Sequence, residues 1–510
     1  LLFIHLPAAS ASPLTLCFAE KLPDTFFPLI TKEHVPMPSF FKNRTGTASL
    51  IVMLLASCST AQDLGSGVRP IPVTRPEMKQ LLEDVKQRTP RIPLPELTAE
   101  ERQVLGERSD NYEARLRYHY LANGRYDAGN RSIGFGRSQD PLMTLEHGFK
   151  VELFWIVSRT NNCQYCLGHQ ESKLLGAGRS EDRIAALDGD WAGFTQNEQA
   201  AYRFARKFTF EPHLLSDQDI VQLKAHFSDS QVLEMLLSMS WNNAINRWKE
   251  GVGVPQNPSE GGYSRLAAVT GGEPNRLDSD GKSLPQGSYL TPTAPRFQKA
   301  ISRVAPIIID EQTGTPTTQV VSQRPALEDL QEVHAQWLKA RTRTARLPLV
   351  DARSTRELFE LAPSTTPVPN WLRLLANFPE EGLRRGNALL EAESNSDLSP
   401  LLKAQLAWIV ARQDRAWYAL GQAATRLSEL GQGVAMQQAL DGNGSEFSVQ
   451  DRQLFLVAKN LAASPVILSD LEVAEALETA GAAAVVQTIQ YVTQRAAFNR
   501  LTEAAGLPLE

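Results

Sequence analysis

Laid against itself with a shift of 253 residues, the chain matches without a gap. Trp155-Ile156-Val157 recurs as Trp408-Ile409-Val410, Arg159 as Arg412 and Tyr165 as Tyr418. Leu167-Gly168 recurs as Leu420-Gly421, Phe194 as Phe447, and Leu215-Ser216-Asp217 as Leu468-Ser469-Asp470. Asn246-Arg247 recurs as Asn499-Arg500, and Gly253 and Pro255 as Gly506 and Pro508. These are 15 identities, where chance at ordinary composition gives on the order of 6. Whatever the first copy folds into, the second must fold into as well, and a gene duplication is the simplest account.

Both copies read as helical. Thr195-x-x-Glu198 and Ser216-x-x-Asp219 are capping boxes, echoed by Ser448-x-x-Asp451 and Ser469-x-x-Glu472. Ala201, Phe204, Ala205 and Phe208 fall on one helical face, and strand-like alternation is scarce. The expected fold class is all-α, one bundle present twice in tandem. Residues 271–325 are rich in Gly, Pro, Ser, Thr and Asp and read as a linker or surface excursion. The boundaries expected are 95–270 for the first domain, 271–344 for the linker and 345–510 for the second domain.

Composition excludes several classes. At 510 residues the length suggests roughly three domains. A net charge of −5 argues against a protein that coats nucleic acid. Four cysteines are too few for a disulfide scaffold, and no apolar run reaches the roughly 18 residues of a membrane-spanning helix.

The N-terminal region carries an address. Residues 1–36 lack any sustained period and read as an over-called start. From Met37, a basic segment (Lys42, Arg44) precedes the apolar run Ala48–Ala56, which ends in Leu55-Ala56-Ser57-Cys58. That order is similar to a bacterial lipobox, with 37–57 the cleaved signal and Cys58 the lipidated first residue. Residues 58–94 are then tether and lead-in. The implied location is the bacterial cell envelope, lipid-anchored on the periplasmic side.

The chemistry concentrates in Asn161-Asn162-Cys163-Gln164-Tyr165-Cys166-Leu167-Gly168-His169-Gln170. Asn161 or Asn162 is placed to cap a helix there, with both cysteines in its first turn. A helix N-terminus favours a thiolate and is expected to lower the thiol pKa. Two cysteines three residues apart can also close a disulfide with little backbone movement.

This stretch resembles the carboxymuconolactone decarboxylase superfamily, and within it the alkyl hydroperoxidase D (AhpD-like) branch. Asn246-Arg247-Trp248 and Gly251-Val252-Gly253-Val254-Pro255 look like the closing helix and turn of that family. The resemblance implies an all-helical fold and a thiol peroxidase or disulfide reductase. Cys166 would be peroxidatic and Cys163 resolving, with a glutamate and a histidine relaying protons. It implies no cofactor and no metal. The partners would be a peroxide or disulfide substrate, a thiol reductant, the membrane through the lipid anchor, and another copy of the chain in a homo-oligomer. The family's histidine position holds Gln170, with His169 one place earlier; its glutamate position holds Val151, with Glu152 adjacent. His169 and Glu152 are therefore the relay candidates, and His147, one turn before Val151, is a substitute.

In the second copy Cys163 faces Ala416, Cys166 faces Ala419 and His169 faces Gln422. That half is expected to be redox-inert and to fill a second subunit's place. Rival readings remain: a zinc site on Cys163, Cys166 and His169; a structural disulfide in a non-catalytic lipid-anchored scaffold; and a decarboxylase-like activity.

Overall fold

The computed structural model describes residues 68–121, 140–259, 261, 287–309, 316–317, 326–364, 367–394 and 396–510. The chain divides into two units, residues 1–61 and 62–510, and every described residue lies in the second. Residues 1–36, the expected signal segment 37–57 and Cys58 lie outside the described residues. Among the described residues no helix is long and apolar enough to cross a membrane.

The fold is all-α. A lead-in of α1 (Arg75–Asp84), α2 (Ala99–Leu105) and α3 (Tyr112–Tyr120) precedes the first half. That half comprises α4 (His147–Asn161), α5 (Gln164–Gly176), α6 (Glu181–Ala186), α7 (Gln196–Phe210), α8 (Asp217–Lys224) and α9 (Asp229–Val252). A connecting stretch carries α10 (Pro295–Gln298) and a two-residue antiparallel pair, β1 (Ile308–Ile309) with β2 (Pro316–Thr317). A second lead-in follows: α11 (Leu330–Thr342), α12 (Ala352–Leu358), α13 (Asn370–Leu375) and α14 (Glu381–Ser394). The second half comprises α15 (Pro400–Asp414), α16 (Trp417–Glu429), α17 (Val434–Asp441), α18 (Val449–Ala462) and α19 (Asp470–Ala504).

The sequence shift carries into the helices. Adding 253 to the bounds of α4 and α5 gives the bounds of α15 and α16. Left-handed residues end both first helices, Asn162 at φ 57° and Arg415 at φ 50°. Gly253 and Gly506 end both last ones, at φ 68° and 59°. Where Ser228 caps α9, the second half has Gly481 at φ 79°, a kink inside α19 that takes the place of the break between α8 and α9. Three of the four expected capping boxes, at Thr195, Ser216 and Ser469, are complete; at Ser448 the side chain accepts from the Asp451 N–H.

The helices α4 and α15 run through the middle of their halves and are buried on nearly all sides. Trp155 and Trp408 are fully enclosed at matching positions. Truncating either would cost about 3–5 kcal/mol. Ala201, Phe204, Ala205 and Phe208 form the buried face of α7, as their spacing requires.

The halves pack chiefly through α9 and α19, and their polar contacts are reciprocal. Arg247 Nη2 donates to the carbonyls of Ala462 (3.0 Å) and Ala463 (3.3 Å) and to Ser464 Oγ (2.8 Å). Arg500 Nη2 donates to the carbonyl of Thr209 (3.2 Å), the position matching Ala462, and to the same Ser464 Oγ (3.0 Å). A second reciprocal clasp was not anticipated. Arg91 donates to Asp470 Oδ1 (2.6 Å) and the Leu468 carbonyl (2.9 Å); Arg346 donates to Asp217 Oδ1 (2.7 Å) and the Leu215 carbonyl (2.9 Å). These arginines sit in Arg88-Thr89-Pro90-Arg91-Ile92-Pro93-Leu94 and Arg343-Thr344-Ala345-Arg346-Leu347-Pro348-Leu349. The two segments are 255 residues apart, so an ungapped shift of 253 passes over them.

Arg91 lies four residues before the expected start of the first domain at 95, and Arg346 lies just inside the second at 345. Helix α11, inside the stretch expected as linker, packs on α16, with Val333 and Ala340 buried. The described end of the expected tether is also packed: the carbonyls of Pro70 and Pro72 accept from Asn162 Nδ2 and Arg159 Nη2.

Candidate redox site

The junction of α4 and α5 places the cysteines. Asn162 turns left-handed, and the Cys163 N–H donates to the Ser158 carbonyl (2.9 Å). Cys163 itself is the N-cap: its Sγ accepts from the Cys166 N–H at 3.4 Å. The asparagines expected to cap are engaged elsewhere. Asn161 Nδ2 donates to Asn243 Oδ1 (2.8 Å) and Asn246 Oδ1 (3.0 Å), and Asn162 Nδ2 to backbone carbonyls of the lead-in.

Both cysteines are free thiols, with exposures of 0% (Cys163) and 2% (Cys166). Burial pushes the Cys163 thiol well above its ordinary pKa, and the neighbouring Cys166 and the Glu250 carboxylate push in the same direction. The expectation of a lowered thiol pKa is therefore corrected for Cys163. A single N–H···S contact at a helix start does not offset the loss of water around a thiolate.

Of the five candidate site residues in the first half, three come together. His169 lies one turn beyond Cys166 on α5. Its Nε2 sits 3.0 Å from the Tyr165 hydroxyl, with the rings edge to face at 4.7 Å. Burial, helped by the charges of Lys173 and Lys249, drives the His169 pKa down to about 3. The imidazole is therefore neutral at neutral pH. The adjacent Gln170 is buried, and its Nε2 donates to the Cys166 carbonyl (3.0 Å).

Glu152 and His147 are placed elsewhere. The Glu152 carboxylate accepts from Tyr202 Oη (2.6 Å), Arg179 Nε (3.0 Å) and Arg183 Nε (2.8 Å). It sits nine residues before the end of α4, about 13 Å along the axis. His147 is the first residue of α4, about 21 Å of helix from its end. Neither position suits proton transfer to the sulfurs.

Two groups near the dithiol were missed. Lys249 Nζ lies 4.4 Å from the centre of the Tyr165 ring and is ion-paired to Glu113 of α3, which also accepts from Trp248 Nε1 (2.6 Å). Burial alone would raise the Glu113 pKa, yet Lys249 and Arg117 bring it down to about 2. On the other side, Glu250 pairs with Arg88 (3.0 Å), both buried. Glu250 recurs as Glu503, which pairs with Arg343 (2.6 Å) in the half without cysteines. The Glu250 pair therefore belongs to the scaffold. Lys249 faces Thr502 in the repeat, so the Lys249–Glu113–Tyr165 group is particular to the cysteine half.

Among the described residues no group of three or more His, Cys, Asp or Glu side chains is arranged to hold a metal ion. The chain matches no protein-family model, and no curated protein matches it significantly. Around the two buried thiols, Tyr165 and His169 are the half-buried members of the site.

Proposed function

We propose that the chain is a dithiol oxidoreductase of the AhpD-like type that reduces a hydroperoxide or a disulfide. The observation that carries this reading is the Cys163 Sγ held 3.4 Å from the Cys166 N–H at the start of α5, both sulfurs reduced. With a hydroperoxide, the Cys166 thiolate attacks the terminal oxygen. The O–O bond breaks, an alcohol leaves with one proton, and Cys166 becomes a sulfenic acid. The Cys163 sulfur then attacks the sulfenic sulfur, water leaves, and a disulfide forms. An external dithiol reduces that disulfide by exchange and restores both thiols. The Cys166 proton passes to solvent and the leaving alkoxide takes one up, while His169, neutral at neutral pH, is positioned one turn from Cys166 to hydrogen-bond the peroxide.

The high pKa of Cys163 suits a sulfur that stays protonated until the sulfenic acid forms beside it. The second half, with Ala416 and Ala419 at the cysteine positions, acts as a built-in partner; we attribute the matched halves to duplication. We place the protein at the bacterial cell envelope, acylated at Cys58. Incorporation of an alkyne-labelled fatty acid, lost in Cys58→Ser, is the expected result in a bacterial host.

The test of the activity is hydroperoxide consumption by the full chain with a small dithiol as reductant. Cys166→Ser should abolish turnover. Cys163→Ser should allow one turnover and leave a sulfenic acid that dimedone traps. Parent-level consumption by both variants overturns the reading. Burial of both sulfurs favours a second reading, a structural disulfide in a non-catalytic scaffold. In that case the parent consumes no peroxide, and oxidation raises its melting temperature by an amount both variants lose.

A further inference from the structure

In the first half, the connecting stretch returns and lies in a groove between α6 and α7. Ile301 pairs with Thr74 as an antiparallel bridge, and the Ser302 N–H donates to the Val73 carbonyl (2.9 Å). Ser302 Oγ donates to Asp188, and the Arg303 N–H donates to the Asp188 carbonyl (2.9 Å). Arg206 Nε donates to the Val304 carbonyl (3.3 Å). Ser302, Val304 and Ala305 are buried, Val304 completely. This strap pairs at Ile301 and Ser302, bends over residues 303–306, and is seated by backbone hydrogen bonds with Val304 and Ala305 as small buried apolar anchors.

The matching groove of the second half lies between α17 and α18. Its floor is similar by position: Arg412 pairs with Asp441 (3.0 Å), as Arg159 pairs with Asp188 (3.1 Å), and Asp441 Oδ1 also accepts from Trp408 Nε1 (2.9 Å), where the matching Trp155 donates to Glu171. Phe447 stands for Phe194, Phe455 for Tyr202, and exposed Lys459 for Arg206. Gly444 at φ 72° stands for Trp191 at φ 64°, so the backbone turns alike while an indole is missing. None of the described residues lies in this groove as a strap. A cavity of about 180 Å³ remains, lined by Ile409, Leu440, Asp441, Phe447, Phe455 and Lys459 among others. One edge differs: the Glu328 carbonyl, near the place of the Val73 carbonyl, accepts from Arg412.

We propose that the groove of the second half, uncovered among the described residues, binds a short segment of a partner protein, with a hydroxyl residue followed within two positions by a small apolar anchor. The first half shows the mode of binding. The anchor side chain fills the cavity over Leu440 and Phe455, the Asp441 carbonyl accepts a backbone N–H, and Lys459 donates to the anchor's carbonyl. The inference does not depend on the redox reading, because the groove belongs to the half without cysteines.

The probe is a fluorescein-labelled peptide of residues 299–307, Lys-Ala-Ile-Ser-Arg-Val-Ala-Pro-Ile, titrated by anisotropy against the full chain. Saturable binding is expected. Replacing the peptide's valine by aspartate should weaken it at least about tenfold, as loss of one buried anchor does. Leu456→Trp, at a partly exposed position lining the cavity, should weaken it comparably while leaving the melting temperature unchanged, and Lys459→Glu should change the affinity, since it removes the donor to the anchor's carbonyl. Arg206→Glu, at the matching place in the first half, should leave the affinity unaltered. No saturable binding overturns the proposal. So does binding that responds to Arg206→Glu and not to Lys459→Glu, since the peptide would then be exchanging with the chain's own strap.

Discussion

The two halves match in the bounds of their first two helices and in several cap dihedrals and differ in chemistry, and the contrast separates what builds the bundle from what could use it. At the start of the second helix, Cys163 has φ −84° and ψ 93°, and Ala416 has φ −89° and ψ 91°. The turn therefore does not need a thiol. Around it, the buried tryptophans, the ion pairs Arg159–Asp188 and Arg412–Asp441, and the pairs of Glu250 and Glu503 occur in both halves. The tyrosine also persists, but its partner changes. Tyr165 meets His169 at 3.0 Å; Tyr418 accepts from Gln422 Nε2 at 2.9 Å. A group that can exchange a proton is replaced by one that holds the same geometry without titrating. The thiols, the imidazole and the Lys249–Glu113 pair distinguish one half from the other.

The largest effect is expected where the halves are joined. Arg500 and Asp414 are fully buried and paired at 3.0 Å, and Arg500 also reaches the first half through the Thr209 carbonyl. Arg500→Leu leaves a carboxylate without its cation in the interior, a loss of about 3–5 kcal/mol. Urea denaturation of the full chain should show that shift. A change below about 1 kcal/mol would mean that the contact does not hold the halves together.

The next experiment transplants the dithiol. In Ala416→Cys/Ala419→Cys, the matching backbone should bring two sulfurs into the arrangement of Cys163 and Cys166. A second disulfide should form under mild oxidant, counted as two fewer thiols titratable after denaturation. Both alanines are fully buried, so the added sulfurs should cost about 1–3 kcal/mol of stability through overpacking. With Gln422 and Thr502 in place of His169 and Lys249, peroxide turnover by this second pair should be absent. If the new pair turns over as well as the native one, His169 and Lys249 have no part in the reaction.

How much of this was legible beforehand follows from the physics of each signal. The helical class and the capping boxes were readable because they are local patterns, and Thr195, Ser216 and Ser469 cap where expected. The arginine clasp was hidden by a two-residue change in spacing between Arg91 and Arg346. The N-cap was misassigned because asparagine is the stronger capping residue in isolation, while Asn161 is drawn into a buried amide cluster only the tertiary fold creates. The direction of the Cys163 pKa depended on burial, which short motifs do not encode. Glu152 looked like a relay from its sequence distance to Cys163. Its direction on α4 instead sends it to Arg179, Arg183 and Tyr202.

The smallest expected effect is also the most specific. The His169 pKa lies at about 3 in the folded chain, against about 6.5 for an unperturbed histidine. Between those values the unfolded chain binds a proton that the folded chain does not, so stability falls as pH drops from about 6.5 toward 3. His169→Gln installs the Gln422 solution, a side chain that keeps the tyrosine contact and does not titrate. Its melting temperature at pH 7.5 should match the parent. Its decline between pH 6.5 and 4.5, above the range where carboxylates such as Glu113 titrate, should be shallower. An unchanged slope would place the imidazole in water rather than in the enclosed position beside Tyr165. A shallower slope together with slower peroxide turnover would tie the titrating difference between the halves to the chemistry that only one of them has the sulfurs to perform.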